Sequence, residues 1–137
     1  MSGDDAVSSV SDGRGEAESK STSTPCGENV VLIYTTFPSQ GEAEIAGRFL
    51  VENKLAACVN IFPGMIAIFS WEGKTDAAAE VAMLVKTAKS RADDVLEAIK
   101  RLHPYSVPAR LVLPVAGGAK DFLDWIVAES TPASDNP

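Results

Sequence analysis

The stretch from His103 to Pro108, which reads HPYSVP, constrains the fold more than any other part of the chain. A proline pushes the residue before it toward extended geometry, so the helix-like segment that precedes Pro104 must end near His103. A mainly apolar segment, Val107 to Val115, follows immediately and is predicted to be a strand. The sequence therefore predicts a helix joined to a strand by a rigid turn, and that turn carries the single histidine of the chain beside Tyr105.

The first half of the chain alternates between strand and helix patterns. Val30 to Thr36 is a continuous apolar run, typical of a strand that is buried on both faces and therefore central in its sheet. Ser39 with Glu42 forms a capping box at the start of a helix. Helical spacing predicts one buried stripe on that helix, made of Ile45, Ala46, Phe49 and Leu50.

A long central hairpin follows. We interpret 57–71 as one strand that is bent or bulged at Pro63-Gly64, because these two residues inside a strand usually mark such an irregularity. Glu72-Gly73-Lys74 is the predicted turn, and the return strand is predicted from Glu80 to Thr87. The hairpin of residues 57–87 is longer than two helices can shield.

The second half of the chain repeats the pattern. Ser90 is the predicted cap of the second helix, and the fourth strand is predicted over 107–115. The predicted buried stripe of this helix comprises Val95, Leu96, Ile99 and Leu102. A short terminal helix over 121–128 is expected to place Phe122, Trp125 and Ile126 on one side.

The order of elements predicts the fold class. A βαββαβ sequence with a long central hairpin and a short C-terminal helix is the α+β, ferredoxin-like arrangement. Right-handed crossovers put the first two helices on one face of an antiparallel sheet. The strands are nevertheless apolar on both sides, so the other face and the hairpin edges need a partner.

Composition sets the domain limits and excludes several classes of partner. With 137 residues and 45% hydrophobic content, the chain suits one folded domain, predicted at 29–129. Residues 1–28 are acidic, rich in Ser and Thr and free of aromatics, so they are predicted to be a disordered tail, either genuine or the product of a start codon assigned too early. Residues 130–137 are predicted to be disordered as well.

Charge and cysteine content point to the cytoplasm. A net charge of -7 without a basic stripe argues against nucleic acid and against anionic membrane surfaces. No apolar run approaches the roughly 20 residues of a membrane helix. The two cysteines, Cys26 and Cys58, form no disulfide framework, which favours a reducing compartment.

Three motifs in this order resemble the CutA family of divalent-cation tolerance proteins. They are the HPYSVP stretch, KLAACVNIFPG at 54–64 and WEGK at 71–74, and the resemblance covers roughly Asn29 to Ala128. It implies a homotrimer whose long hairpins extend into neighbouring sheets. It also implies a role in tolerance of divalent cations, copper above all, with no required cofactor.

His103 is the candidate metal ligand, because neutral imidazole is a common ligand of Cu²⁺ and other divalent cations. The alternative is a histidine that satisfies the last carbonyls of its helix. Cys58 is either a soft ligand or a small core residue. Positions where some family members carry further donors hold Thr35 or Tyr34, Leu102, Ser106 and Ala109 here, so any Cu²⁺ binding is expected to be weak.

Three functions stay open from the sequence. The first is metal tolerance with direct, weak binding. The second is a trimer similar to the PII regulators, which senses a small anion in clefts lined by Lys86, Tyr105 and Trp71. The alternatives are that Lys86 pairs with Glu80 or with an acid of a neighbouring subunit, and that Trp71 is an interface anchor. The third is a trimeric scaffold for protein partners. No GxSxG motif, no Cys-His pair with an orienting acid and no Gly-rich phosphate loop is present, so the chain is predicted not to be an enzyme.

Overall fold

The computed structural model describes residues 28–132, which form one four-stranded antiparallel sheet with helices packed against it. The predicted ferredoxin-like order of elements is confirmed, and the strand order is β2-β3-β1-β4. The strands are β1 (Val30–Phe37), β2 (Cys58–Trp71), β3 (Lys74–Ala88) and β4 (Arg110–Pro114). The helices are α1 (Gln40–Glu52), α2 (Ala92–Leu102) and α3 (Lys120–Glu129). The remainder of the two predicted disordered ends, residues 1–27 and 133–137, lies outside the described residues.

The first strand is central and buried, as its apolar run predicts. β1 pairs with β3 on one side and with β4 on the other, so that Ile33 lies opposite both Val85 and Val112. Ile33 and Phe37 are fully buried, and they face helices α1 and α2 across the main core. This strand therefore fixes the position of the turn at His103, which packs beside its end.

Helix α1 begins at the predicted cap but presents a different stripe to the sheet. The Glu42 amide donates to Ser39 Oγ at 3.2 Å, which confirms the cap. A Cβ at Gly47 would lie 2.7 Å from Val59 Cγ2, so the helix approaches the sheet most closely at this small residue. Ile45 lies about 200° around the helix from Gly47 and is 66% exposed, so its predicted burial is wrong.

The central hairpin has the predicted length, but its return strand is longer than predicted. The bulge is confirmed as a register shift between Phe62 and Met65, and the tight turn places Glu72 and Gly73 at positive φ, as two-residue hairpin turns require. The return strand begins at Lys74 rather than at Glu80. Alanine is a weak strand former, but the alanine-rich first half of β3 pairs with β2 all the way to the turn.

Two boundaries predicted from the sequence are wrong, namely the start of α2 and the start of β4. Ser90 does not cap the helix, because a 3-10 turn at Lys89–Arg91 precedes it and Arg91 stands at the cap position without a side-chain hydrogen bond. Strand β4 begins at Arg110 instead of Val107, which is 85% exposed, because Pro108 has no N–H for the ladder. The buried stripe of α2 consists of Val95, Ala98 and Ile99, whereas the predicted Leu96 and Leu102 are half-buried.

Helix α3 packs on the end of the sheet, but the side chains that it buries differ from the predicted ones. Leu123 and Ile126 pack on Val30 and Ala57 in a small second core. Phe122 and Trp125 are 45% and 43% exposed and stack on each other, so only Ile126 of the predicted set is buried.

Ser130, which falls in the predicted disordered C-terminus, is fully buried. Its hydroxyl accepts from the Ala88 amide at 3.0 Å and donates to the Ile126 carbonyl at 2.6 Å. The ordered domain therefore extends at least one residue past the predicted boundary at 129.

The outer strands of the sheet leave large apolar side chains in solvent. Between 39% and 73% of each is exposed in a single protomer. They are Phe62, Ile66, Ile68, Phe69 and Trp71 on β2, and Leu111, Val112 and Leu113 on β4. An apolar surface of this extent usually marks an association site. Separately, none of the helices within residues 28–132 is long and apolar enough to cross a membrane.

Candidate functional site

His103 stands at the end of α2 and points inward, against the end of β1. It is only 7% exposed, and its ring stacks on Phe37 with centroids 4.5 Å apart. Nε2 lies 2.6 Å from the Thr36 carbonyl oxygen, and the Tyr105 amide donates to Nδ1 at 3.1 Å. The histidine thus joins the turn to the central strand.

These two hydrogen bonds specify one tautomer of the imidazole. A carbonyl oxygen can only accept, so Nε2 carries the proton, and Nδ1 must be unprotonated to accept from an amide. Metal ligation needs a free lone pair on a ring nitrogen, and in this arrangement the only lone pair is already engaged. A metal ion at His103 would first have to displace the Tyr105 amide from Nδ1.

Tyr105 faces a carboxylate, although the prediction placed it beside a lysine. Its hydroxyl lies 3.5 Å from Glu80 Oε2, and its ring is tilted over His103 at 4.9 Å between centroids. Partial burial raises the pKa of the Tyr105 phenol, with further contributions from the negative charge of Glu80, the hydrogen bond to it and the charge of Glu42. The surroundings of this phenol are therefore electronegative.

Replacing Glu80 with glutamine is expected to lower the pKa of Tyr105 toward its ordinary value of about 10. Because the pKa of the folded chain lies above that of the unfolded chain, the phenol stabilises the fold fully below about pH 10, and this contribution is lost as the pH rises through the raised pKa. Absorbance titration of tyrosinate, compared between the native chain and Glu80→Gln, measures the shift. Glu97→Gln on the exposed face of α2 is the control; an equal shift in that variant would contradict the assignment.

The three predicted cleft residues do not come together in one protomer. Lys86 lies six residues beyond Glu80 on β3, about 20 Å away at about 3.3 Å per residue, and its Nζ sits 5.4 Å from the centroid of Phe122. Trp71 pairs with Lys74 at the hairpin tip, about 20 Å from Glu80 in the other direction. The alternative ion pair of Lys86 with Glu80 is likewise not formed.

Cys58 is half-buried at the start of β2 and packs beside the small second core. Within residues 28–132, no three of the His, Cys, Asp and Glu side chains converge on a point that could hold a metal ion. The Thr35 hydroxyl, at one of the two positions matched to a family cysteine, is buried without a hydrogen-bond partner.

Comparison with known proteins agrees with the fold. The family described as CutA1 divalent ion tolerance protein matches residues 31–129. A divalent-cation tolerance protein CutA from Archaeoglobus fulgidus is 49% identical over 95 residues, which cover 69% of this chain and 92% of that protein. The solved structure of the periplasmic divalent cation tolerance protein CutA from the same organism has a TM-score of 0.72 at 45% identity, covering 74% of this chain and 99% of the other.

A plant relative is also similar. Protein CutA 1, chloroplastic, from Oryza sativa subsp. japonica is 37% identical over 109 residues, which cover 80% of this chain and 59% of that protein. The match to the family spans all three motifs and every described strand and helix apart from the first residue of β1. This chain therefore belongs to the CutA1 divalent ion tolerance protein family.

Proposed function

We propose that this protein is a non-enzymatic, homotrimeric factor in tolerance of divalent cations, copper among them. The observation that carries the proposal is the family match over 31–129, which includes the HPYSVP, KLAACVNIFPG and WEGK stretches. The two Archaeoglobus fulgidus matches are called divalent-cation tolerance proteins, one of them periplasmic, and the rice relative is called chloroplastic. For this chain a cytoplasmic location remains our prediction.

The outer strands support the trimer. β2 and β4 form opposite edges of the sheet, and each exposes apolar side chains and unpaired backbone groups. Two different edges that meet head to tail generate a ring if the rotation closes. In the proposed trimer the long hairpin of one copy extends onto the sheet of the next, which removes both the apolar faces and the open edges from water.

Direct metal binding with His103 as ligand is the first candidate mechanism. The only lone pair of its ring already accepts a hydrogen bond, and among residues 28–132 no group of three potential metal ligands includes it. Binding of Cu²⁺ is therefore expected to be weak, because it must open the turn at Tyr105. No cofactor is required in this proposal.

Calorimetric titration of Cu²⁺ into the full chain tests this mechanism. The protein carries Cys26→Ser, so that this thiol does not bind copper adventitiously, and is compared with the same chain carrying His103→Ala. Saturable binding near one ion per chain, or one per trimer, that disappears in the second variant would support ligation by His103. Equal, non-saturating heats from both would contradict direct binding while leaving the trimer and the family intact.

A ligand-sensing trimer is the second candidate. Lys86, Tyr105 and Trp71 lie apart in one protomer, so a shared cleft would need residues from two subunits. The exposure of Trp71 at the hairpin tip, 65%, favours this arrangement, since the proposed trimer carries that tip to the next sheet. A trimeric scaffold for protein partners is the third candidate.

A further inference from the structure

A shallow groove of about 250 Å³ lies at the base of the long hairpin, beside Glu80. Pro38, Met65, Ile66 and Val81 make its walls mainly apolar, and Glu80 is the only charged side chain in the lining. Pockets for drug-sized ligands usually measure about 300–1,000 Å³, so this groove has room for little more than one large side chain. Ile66 also belongs to the exposed apolar edge of β2, so the groove is continuous with the surface that the proposed trimer covers.

The tip of the hairpin carries an aromatic ring and a positive charge. Trp71 and Lys74 form the last pair of the ladder between β2 and β3. Trp71 is 65% exposed, and among residues 28–132 the Lys74 ammonium has no ion pair or hydrogen bond. The tip therefore presents one large aromatic side chain, a type that often anchors an interface in a pocket, beside one unpaired positive charge.

The groove complements this tip in charge. Among residues 28–132 the Glu80 carboxylate forms no ion pair, and its contact with the Tyr105 hydroxyl is long, at 3.5 Å. A chain cannot place its tip in its own groove, because Lys74 lies six residues from Glu80 along β3, about 20 Å at about 3.3 Å per residue. Only the tip of another copy can bring the two charges together.

We propose that the hairpin tip of one copy seats in the groove of the next copy. The Trp71 indole lies against Met65 and Ile66 there, and the Lys74 ammonium pairs with the Glu80 carboxylate. Each chain has one tip and one groove on different parts of its surface, so a closed head-to-tail ring fills every groove and leaves no tip in water. The buried ring and the charge-assisted hydrogen bond both favour the assembled state.

This contact rests on the proposed trimer and closes its ring. It also locates a cleft between subunits, because the tip brings Trp71 of one copy to Tyr105 of the next, which contacts Glu80. Two of the three predicted cleft residues then meet across the interface, whereas Lys86 stays about 20 Å from Glu80 along the strand. The corner at Tyr105 is therefore incomplete in a single chain.

Charge reversal tests the pair, with the mass followed by light scattering over a dilution series. Lys74→Glu and Glu80→Lys are each expected to raise the concentration needed for half-assembly at least about tenfold, because each sets like charges together. The double variant is expected to recover most of the loss. Since the two positions lie about 20 Å apart in one chain, that recovery requires a contact between chains. Lys100→Glu, the same charge change on the exposed side of α2, is expected to leave assembly unchanged.

Quenching of tryptophan fluorescence tests the seat of the indole. The full chain carries Trp125→Phe, which leaves Trp71 as its only tryptophan. Acrylamide is expected to quench Trp71 much less in the trimer than in a variant that also carries Ile68→Lys to prevent assembly. Ala79→Phe, at an exposed position of the lining, is expected to fill the groove and restore full quenching.

The outcomes separate this contact from the trimer itself. A trimer that Lys74→Glu does not weaken, or in which Trp71 is freely quenched, would overturn the contact and leave the trimer standing. The same holds for a double variant that recovers nothing, as expected if Glu80 pairs with a cation from solution. A native chain that is monomeric at every concentration would overturn the trimer and the contact together.

Discussion

Replacing Ile68 with lysine is expected to leave each chain folded but to convert the proposed trimer into single chains of 14.4 kDa. Ile68 is 73% exposed in one protomer, so the substitution costs the isolated fold little. In the trimer the same side chain would lie in an apolar contact, where an unpaired ammonium costs several kcal/mol. The proposed trimer contains three such contacts, so the substitution would place three unpaired ammonium groups in apolar surroundings. Light scattering at micromolar concentration measures the mass.

Ile45→Lys is the matched control for this experiment. Ile45 has nearly the same exposure, 66%, but lies on the outer side of α1, away from both sheet edges. We expect this variant to keep the trimer mass, and both variants to keep the circular dichroism of the native chain. A trimer that survives Ile68→Lys, or a native chain that is already monomeric, would contradict the proposed assembly.

Replacing His103 with alanine is expected to reduce the free energy of unfolding by about 2–4 kcal/mol in the absence of any metal. The substitution removes the hydrogen bond to the Thr36 carbonyl, the acceptor for the Tyr105 amide and the stacking on Phe37. Both backbone groups lose their partner and the ring leaves a cavity. Denaturant unfolding in the presence of a chelator, at one fixed protein concentration, measures the loss.

Two further variants separate this structural role from a metal-dependent one. Ser106→Ala lies in the same turn but is exposed, so its midpoint of unfolding is expected to equal that of the native chain. His103→Gln can still donate to Thr36 and is expected to recover part of the loss. If His103→Ala unfolds at the native midpoint in chelator and differs only when Cu²⁺ is present, the hydrogen-bonded role is wrong and ligation is the main role.

Several features encoded within a few residues were predictable from the sequence, although the predicted cap at Ser90 was wrong. The cap at Ser39 depends on a residue three positions away, and the hairpin turn depends on Glu72-Gly73 alone. The end of α2 at His103 follows from Pro104, its neighbour. Such local steric and hydrogen-bonding rules act before any tertiary contact forms, so the order of elements and the fold class were correct.

Contacts between distant parts of the chain were the least predictable. The sequence indicated an imidazole and a phenol on one rigid turn, but it did not indicate that Nε2 would bind a carbonyl 67 positions earlier or that Tyr105 would face Glu80, 25 positions earlier. It also grouped Lys86 with Tyr105, whereas Tyr105 contacts Glu80, which lies about 20 Å from Lys86 along β3.

The sequence by itself therefore determined the order of strands and helices, the long hairpin, the turn at His103 and the family. Only the tertiary structure decided which face of α1 is buried, because the close approach at Gly47 turns Ile45 outward. It also decided the charge around Tyr105, since strand register sets which side chains meet. Local geometry depends on neighbours along the chain, whereas the chemistry of a site depends on groups that only packing brings together.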